Sequence, residues 1–462
     1  MYNRGNRGRG TGRGWAQQSS WRGSGQKNPT SQTKPKADEI PKGILISTIT
    51  PTPIPSVAKL RSVTPKISNS EYIASYNWLD GKKATILVPG EYTYLTETLA
   101  WKILVLNLRF SGAPPAWTPP KTPPKLQQDQ GDYFRDPNAA RWPKYPTEAA
   151  VQAIYKLNSE FNSHGIDVVG CGSTLGNIMR LARAKEVTFR FNVELVGETL
   201  FLVRHERSPT ELIEGVYGYG HTFPEAYTTW DAENRGSVSH QRLIKYDVGG
   251  LKIVIRSEAD GYIKEKTGLS RIYSKPLSAT PSSSIDPDVA SLTSSTASIS
   301  VTPKDPESSS ELIVRSTRCS VPQAAIFDLK TRSAKTAYDM EDIYPRLWLN
   351  QTPSFVIAYH KAGQFQDIEI RDVRAGVEDW ERRNLDALQQ YCQIFKRLIQ
   401  IVKDSGKKKF EIWRRGMGPL EVRTLGDAKW SVLPSKLRAR WSSEDADSEE
   451  DESDGIYDYL NF

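Results

Sequence analysis

Two stretches decide the fold of this chain: residues 253–260, with the sequence IVIRSEAD, and residues 325–330, with the sequence AIFDLK. Each begins as a run of apolar, β-branched or aromatic residues, which is typical of a buried strand. Each ends in two charged residues that are separated by one apolar residue. Side chains at positions i and i+2 of a strand lie on the same face of the sheet. If the two strands pair, four side chains meet at one place: Glu258, Asp260, Asp328 and Lys330.

These four side chains have the composition of a divalent-metal site. Carboxylate oxygens favour Mg²⁺ or Mn²⁺ over Zn²⁺, and two such ions can stabilise the attacking and leaving oxygens when a phosphodiester or pyrophosphate is cleaved. We therefore expect Glu258, Asp260 and Asp328 to bind metal. Lys330 would orient the attacking water or offset developing charge. The alternative is a pair of solvated strand ends, because charged pairs are common where strands end.

The composition favours a polyanionic partner. The chain has 462 residues, of which 38% are apolar, and a net charge of +8. Eight acidic residues and no basic residue lie within residues 444–454, so the rest of the chain alone would carry +16. A body this basic favours nucleic acid as a partner, although basic surfaces also occur without that role.

The sequence gives no sign of a disulfide framework or a membrane segment. The three cysteines are far apart and lack metal-ligand spacing, which favours a reducing, intracellular compartment. The Arg/Gly-rich N-terminus lacks the apolar core of a signal peptide. The most apolar stretch outside the predicted strands, residues 99–110, contains two basic residues and is too short to span a bilayer. We therefore expect no membrane partner.

Changes in composition divide the chain into one domain with two arms. Residues 1–68 are rich in Arg and Gly, then in Pro and Ser, and we expect a disordered arm that either contacts RNA or only aids solubility. Residues 69–440 form the predicted domain, in which residues 276–310 are a Ser/Thr/Pro-rich insertion of low complexity. Residues 441–462 are an acidic tail that we also expect to be disordered.

The hydrophobic periodicity of the domain predicts an α+β fold with a mixed β-sheet core flanked by helices. Residues 187–203 and 354–370 each contain two β-rich runs around a glycine, which indicates hairpins. Apolar residues recur every three or four positions in residues 147–161 and, most clearly, in residues 380–402, which predicts amphipathic helices.

Six motifs occur in the chain in this order: SYNWLD (75–80), TILVPG (85–90), NAARWP (138–143), GHTF (220–223), RSEADGY (256–262) and DLKTR (328–332). In this order they resemble the DXO-type decapping nucleases, and more closely a fungal branch of that group. The resemblance extends over roughly residues 71–405. It implies a core related to the PD-(D/E)XK nucleases and metal-dependent hydrolysis at RNA 5′ ends, of the decapping, pyrophosphohydrolase or exonuclease type.

The resemblance also implies roles for individual residues. Glu258, Asp260 and Lys330 match the family pattern directly, and Asp328 stands where the family has Glu. Two further residues match with substrate-binding positions of the family: Gln351, near the scissile phosphate, and Arg141. The implied cofactor is Mg²⁺ or Mn²⁺. The implied partners are RNA and a 5′–3′ exonuclease, and the implied location is the nucleus or the cytoplasm.

One departure from the family pattern bears on activity. In GHTFPE (residues 220–225) the family's metal-binding Glu falls on Pro224, and Glu225 follows one position late. A shift of one residue sends a side chain to the other face of a strand, or turns it by about 100° around a helix. Either Glu225 is recruited as a ligand or one ligand is missing.

Two other features concern the gene sequence and the name given to similar sequences. Residues 91–111 interrupt the motif order with an abrupt apolar insert, which we interpret as a retained intron that sequencing of the transcript would test. Fungal sequences of this appearance often carry the name geranylgeranyl diphosphate synthase. Such synthases bind diphosphate through Asp-Asp-rich motifs, and this chain has no adjacent Asp-Asp pair.

Three functions follow as hypotheses. The leading one is a divalent-metal-dependent hydrolase of RNA 5′ ends. The second is a catalytically degenerate RNA-binding protein of the same fold. The third is a scaffold that docks partners through the acidic tail.

Overall fold

A computed structural model describes residues 41, 43–51, 65–90, 112–213, 215–268, 311–317, 320–335, 338–425 and 430–443. Several predictions concern segments outside these residues and stay predictions: most of the N-terminal arm, the 91–111 insert, the 276–310 insertion and the tail beyond residue 443.

The described residues contain seventeen strands and eight α-helices. The strands are β1 (Leu45–Ile49), β2 (Ile67–Leu79), β3 (Thr85–Val88), β4 (Ala116–Trp117), β5 (Val168–Cys171), β6 (Phe189–Val196), β7 (Thr199–Arg204), β8 (Thr228–Thr229), β9 (Ser237–Val248), β10 (Leu251–Glu258), β11 (Gly261–Tyr262), β12 (Ile313–Ser316), β13 (Ile326–Ser333), β14 (Ser354–Lys361), β15 (Gln364–Asp372), β16 (Lys409–Arg414) and β17 (Leu420–Thr424). The helices are α1 (Pro137–Arg141), α2 (Glu148–Leu157), α3 (Gly172–Ala182), α4 (Thr222–Tyr227), α5 (Tyr344–Asn350), α6 (Arg374–Arg383), α7 (Leu385–Asp404) and α8 (Ser435–Ser442).

The strands form two mixed sheets. The larger sheet has eleven strands in the order β1-β17-β16-β6-β7-β5-β10-β9-β2-β3-β12, and the smaller has six in the order β15-β14-β13-β11-β4-β8. The predicted α+β class with a mixed sheet core is thus confirmed. The predicted hairpins are also confirmed, since β6 pairs with β7 and β14 with β15 in antiparallel fashion.

Strand β10 lies inside the large sheet and is covered on both faces. Ile253 and Ile255 belong to the hydrophobic cluster that contains α3 and α7, whereas Val254, between them, belongs to the cluster that contains α2 and α8. This division follows from the alternation of side chains along a strand. A strand with two covered faces is apolar at consecutive positions, as the sequence IVI is.

The two strands named by the sequence lie in different sheets. Strand β10 pairs with β5 and β9, and β13 pairs with β14 and the two-residue strand β11. The chain passes from β10 through Ala259 and Asp260 into β11, so this short link carries it from the large sheet to the small one. The end of β10, at Glu258, comes near the middle of β13 at the junction of the sheets, although the two strands do not pair.

Two predicted boundaries are wrong, and one predicted helix is divided into two. Strand β1 lies within the arm predicted to be disordered and is held by antiparallel pairing with β17. Trp441, assigned to the acidic tail, is buried at the end of α8 and contacts the ring of Phe201. The helix predicted over residues 380–402 is two helices, α6 and α7, which meet at Asn384. No helix among the described residues has the length and apolar character that a membrane span requires.

Candidate active site

Register brings the two acidic motifs into contact. Strand β11 pairs with β13 so that Gly261 faces Phe327 and Tyr262 faces Ile326. Extending this antiparallel register by one residue puts Asp260 opposite Asp328. The Oδ2 atom of Asp260 accepts a hydrogen bond of 2.6 Å from the backbone N–H of Leu329, which fixes Asp260 against β13.

Glu258 and Lys330 complete the group. Glu258 is the last residue of β10, and Lys330 lies two residues beyond Asp328 on β13. Electrostatic interactions join Glu258 to Asp260 and Lys330, and they join Lys330 to all three acids. The four residues singled out in the sequence therefore lie together, and we call them the acid–lysine cluster.

A fifth residue, Arg346, lies within this cluster and has no counterpart in the sequence predictions. It is in helix α5, and its side chain is 4% exposed. The Nη2 atom of Arg346 lies 2.5 Å from Oδ2 of Asp328, whose side chain is also 4% exposed, and 3.9 Å from Oδ2 of Asp260. A buried guanidinium thus bridges the two acids that face each other across β11 and β13.

Burial and mutual repulsion shift the pKa values of the cluster. Burial, reinforced by the Asp260 carboxylate, raises the pKa of Glu258 to about 8, against the opposing effect of Arg346 and Lys330. Burial raises the pKa of Asp328 to about 7, although Arg346 opposes this shift. Burial and repulsion from Arg346 lower the pKa of Lys330 to about 8. Perturbed titratable groups that share one place are typical of functional sites.

A cavity of about 70 Å³ adjoins the cluster. Glu258 and Arg346 line it, together with Asp136, Cys171, Arg204 and Arg256. Three guanidinium groups thus face a small space beside the acids. Two of them already form ion pairs, Arg204 with Asp136 and Arg346 with Asp328. Guanidinium groups form charge-assisted hydrogen bonds with oxyanions, so the cavity offers donors that a phosphate could use.

Cys171 lies in the same cavity. It precedes helix α3, and its Sγ atom is 3.0 Å from Oγ of Ser173. Burial raises the pKa of the Cys171 thiol, but the guanidinium groups of Arg256 and Arg204 outweigh this effect, and the net pKa is lowered. The two arginines thus favour the thiolate form of Cys171, against the opposing charge of Asp136.

The donor atoms of the cluster suit Mg²⁺ or Mn²⁺. All three acids supply oxygen, the donor type that both ions prefer. Glu258 Oε1 and Asp328 Oδ1 are buried and find no hydrogen-bond partner among the described residues, so each can accept a further ligand. In the present arrangement, however, no three Asp, Glu, His or Cys side chains of the described residues are grouped closely enough to hold an ion. The donors therefore fit a divalent cation, but the arrangement around Arg346 would have to change to admit it.

Glu225 does not join the acid–lysine cluster. It is an exposed residue of helix α4. Partial burial raises the pKa of its carboxyl, and the charged neighbour that adds to this shift is Asp129. Asp129 accepts hydrogen bonds from the backbone N–H groups of His221 and Thr222 at the start of α4. The one-residue shift after Pro224 thus brings Glu225 to a different carboxylate.

The two predicted substrate-binding residues make structural contacts. Gln351 ends α5 in the left-handed conformation, with φ of 52°, and its Nε2 atom donates to the backbone oxygen of Trp348. Arg141 donates to the backbone oxygen of Leu79 at 2.9 Å and pairs with Asp80 at 3.3 Å. Neither residue lines the cavity. Two residues from the same part of the chain as Arg141 line the cavity instead, namely Asp136 and Asn138.

His221 interacts electrostatically with Lys330 and Asp260. Its ring stacks on Tyr133, with 3.7 Å between ring centroids. Burial, with a contribution from Lys330, lowers the pKa of His221 to about 4, while Asp129 and Asp260 oppose this shift. The imidazole is therefore neutral at physiological pH, and it adds no charge to the cluster.

Solved structures of known proteins are similar to this chain. Rai1 of Scheffersomyces stipitis, in complex with (3′-NADP)⁺ and calcium ion, is 12% identical, with 87% of this chain and 99% of that chain covered and a TM-score of 0.50. Rai1 of S. pombe is 12% identical, with 82% and 99% covered and a TM-score of 0.48. Dxo1 of K. lactis, in complex with manganese, is 8% identical, with 83% and 99% covered and a TM-score of 0.44.

The class of fold is thus that of Rai1, and the predicted likeness to DXO-type decapping nucleases is confirmed at the level of the fold. No curated protein matches the chain. The chain belongs to the family described as a domain of unknown function, DUF8563, which matches residues 50–440.

Proposed function

We propose that this chain is a divalent-metal-dependent hydrolase that acts on RNA 5′ ends. The observation that carries the proposal is the convergence of Glu258, Asp260, Asp328 and Lys330 at the junction of the two sheets. Three acids and a lysine in one partly buried group are the parts that phosphodiester hydrolysis with metal assistance requires. The fold class that the chain shares with Rai1 is consistent with this chemistry.

The arginines beside the cluster support a phosphate-containing substrate. Arg204, Arg256 and Arg346 line the cavity that Glu258 also lines. A 5′-terminal phosphate in this cavity would lie beside the acids, and guanidinium groups would neutralise its charge. The Rai1 structure of Scheffersomyces stipitis, which has this fold, holds (3′-NADP)⁺ and calcium ion.

Each residue of the site would have a separate role in the reaction. Glu258, Asp260 and Asp328 would hold the cation, which supplies charge neutralisation and a more acidic bound water. The ammonium of Lys330 would offset negative charge that develops on the phosphate. Arg256 would orient the RNA end within the cavity.

A release assay tests the proposal. NAD-capped and triphosphate-ended RNAs are incubated with the full chain and Mn²⁺ or Mg²⁺, beside Glu258→Ala and Lys330→Ala. We expect the wild type to release the terminal nucleotide or phosphate, and we expect each variant to lose at least about a hundredfold in rate, as is usual when a catalytic group is removed. The matched control is Glu378→Ala, which removes an exposed carboxylate of helix α6 and should leave the rate unchanged. Equal release by the wild type and both site variants would remove these residues from the mechanism.

One set of contacts favours the second candidate, an RNA-binding protein without hydrolytic activity. Glu225 lies beside Asp129 instead of the cluster, and Arg346 already contacts Asp328 and Asp260. This candidate predicts that the wild type binds 5′-phosphorylated RNA but releases no product at any Mn²⁺ concentration. Glu258→Ala would then bind RNA as well as the wild type does.

A further inference from the structure

Arg346 occupies the side of the acid–lysine cluster on which two carboxylates converge. Its Nη2 atom is 2.5 Å from Asp328 Oδ2 and 3.9 Å from Asp260 Oδ2. Arg346 and Asp328 are each 4% exposed, so water screens this ion pair weakly. The guanidinium therefore supplies the positive charge that buried carboxylates require.

Helix α5 holds Arg346 in this position. Its neighbours Leu347 and Trp348 are both buried, and the Trp348 indole N–H donates to Oε2 of Glu381 at 2.7 Å. The backbone at Arg346 thus has little freedom, and a change in this contact must come from the long side chain. The same side chain lines the cavity, which offers it space away from Asp328 and Asp260, since neither of them lines the cavity.

The ion pair leaves part of the cluster unsatisfied. Arg346 Nη1, Asp328 Oδ1 and Glu258 Oε1 are buried and have no hydrogen-bond partner among the described residues. Buried polar atoms usually have partners, and a group without one identifies a place where a ligand or ion can bind. The unpartnered carboxylate oxygens can coordinate a cation, but the unpartnered guanidinium nitrogen cannot.

The carboxylates of Asp328 and Asp260 cannot bind a divalent cation and keep their ion pairs with Arg346 at the same time. Mg²⁺ requires oxygen ligands at about 2.0–2.1 Å in near-octahedral geometry. The Asp328 Oδ2 atom already lies against a guanidinium, and two cations in a buried site repel each other. Among the described residues, no three candidate ligands are grouped to hold an ion while Arg346 is in place.

We propose that Arg346 is an internal competitor for the metal: the guanidinium and a divalent cation bind the Asp328–Asp260 carboxylates alternately. The metal-binding state is the one in which the side chain has left these acids. The apparent affinity for metal is then lowered by the fraction of molecules that are in this state. The inference rests on the proposed function only in taking these acids as the metal ligands, and its test measures metal binding without RNA.

The first experiment compares Mn²⁺ affinity, measured by electron paramagnetic resonance of free Mn²⁺ and by calorimetry, for the wild type and Arg346→Met. The substitution keeps an unbranched aliphatic stem and removes the charge. We expect Arg346→Met to bind Mn²⁺ at least about tenfold more tightly, because the competing state is lost. Arg346→Lys keeps a cation and should bind Mn²⁺ much as the wild type does. Equal Mn²⁺ affinity for the wild type and Arg346→Met would overturn the proposal.

A control separates this effect from the loss of any buried arginine. Arg414 is 2% exposed and donates to the backbone oxygens of Gly418 and Lys185, and it contacts none of the cluster acids. Arg414→Met should leave Mn²⁺ affinity within about twofold of the wild type, since no competing charge is removed. A tenfold gain in this control would show that the gain in Arg346→Met is not specific, and would contradict the proposal.

A second experiment uses the wild type and does not depend on the folding of a variant. Phenylglyoxal modifies accessible arginines, and mass spectrometry locates the label. Arg346 should resist modification in metal-free buffer, because it is 4% exposed, and should be labelled when Mn²⁺ is present at saturation. Labelling of Arg346 that stays unchanged at saturating Mn²⁺ would overturn the proposal. Failure of the proposed function would give a different result, namely Mn²⁺ binding with this competition but no release from RNA.

Discussion

The Asp260 carboxylate accepts a hydrogen bond from the backbone N–H of Leu329, with 2.6 Å between Oδ2 and N. This contact joins the link between β10 and β11 to strand β13, and therefore joins the two sheets at the site. The same carboxylate lies 3.9 Å from Arg346 and contributes to the raised pKa values of Glu258 and Asp328. Asp260 thus has a structural role and an electrostatic role, and substitutions can separate them.

We expect Asp260→Ala to lower the free energy of unfolding by about 1–3 kcal/mol, because it leaves the Leu329 N–H unsatisfied. Asp260→Asn keeps an oxygen acceptor and should be destabilised less. Urea denaturation measures both. Under the proposed function both variants lose RNA hydrolysis, because neither has a charged ligand at this position. Equal stability of the two variants would show that the hydrogen bond contributes little.

The raised pKa of Glu258 predicts a pH dependence of stability. The pKa is raised from 4.5 to about 8 in the folded protein. Between about pH 4.5 and pH 8 the folded state therefore binds more protons than the unfolded state, and stability falls as the pH rises through this window. Asp328, with a pKa raised to about 7, contributes a fall of the same sign.

Glu258→Gln isolates the contribution of this group, because glutamine does not titrate. The wild type and the variant should have similar free energies of unfolding near pH 5, where Glu258 is protonated. Near pH 8 the wild type should be less stable relative to the variant. Urea denaturation at both pH values, in metal-free buffer, makes the comparison. A stability difference that is the same at both pH values would contradict the raised pKa.

Arg256 tests whether the cavity recognises a phosphate. It lines the cavity, donates to the backbone oxygen of Pro146 at 3.2 Å and interacts with the Tyr76 phenol. We expect Arg256→Met to weaken binding of 5′-phosphorylated RNA by about tenfold or more, since hydrogen bonds to charged groups contribute about 1.5–3 kcal/mol. Binding of the same RNA with a 5′-hydroxyl end should change little. Fluorescence anisotropy with both RNAs measures the difference, and an equal loss for both would assign Arg256 to general RNA contact or to folding.

The sequence predicted the members of the cluster but not how the fold assembles them. Alternation identified the faces of β10 and β13, and the i, i+2 spacing identified Glu258 with Asp260 and Asp328 with Lys330. The pairing partner of β13 could not be predicted, because β11 has only two residues and two residues show no periodicity. Direct pairing of the two strands was the simplest arrangement, and the fold instead joins them through this short strand.

Arg346 could not be found from sequence for a similar reason. It stands 18 positions after Asp328, in the helix α5, and nothing near it in sequence marks it as a partner of the acids. Only the packing of α5 against the junction of the sheets brings the guanidinium to Asp328. Arg141 and Gln351 are the opposite case, because the sequence motifs selected them but the fold does not bring them to the cavity. Their side chains donate hydrogen bonds to the backbone oxygens of Leu79 and Trp348.

Glu225 gives the sharpest comparison between sequence order and geometry. The sequence leaves open whether Glu225, which follows the family position at Pro224, is a metal ligand or whether one ligand is missing. In helix α4 this residue is exposed and interacts with Asp129. We expect Glu225→Ala to reduce Mn²⁺ affinity by less than about twofold, and Glu258→Ala to reduce it by at least about tenfold, as loss of a direct ligand does. Calorimetric titration of both variants and the wild type provides the measurement. If Glu225→Ala weakened Mn²⁺ binding as much as Glu258→Ala does, the α4 helix would have to rearrange when metal binds, and Glu225 would return to the list of ligands.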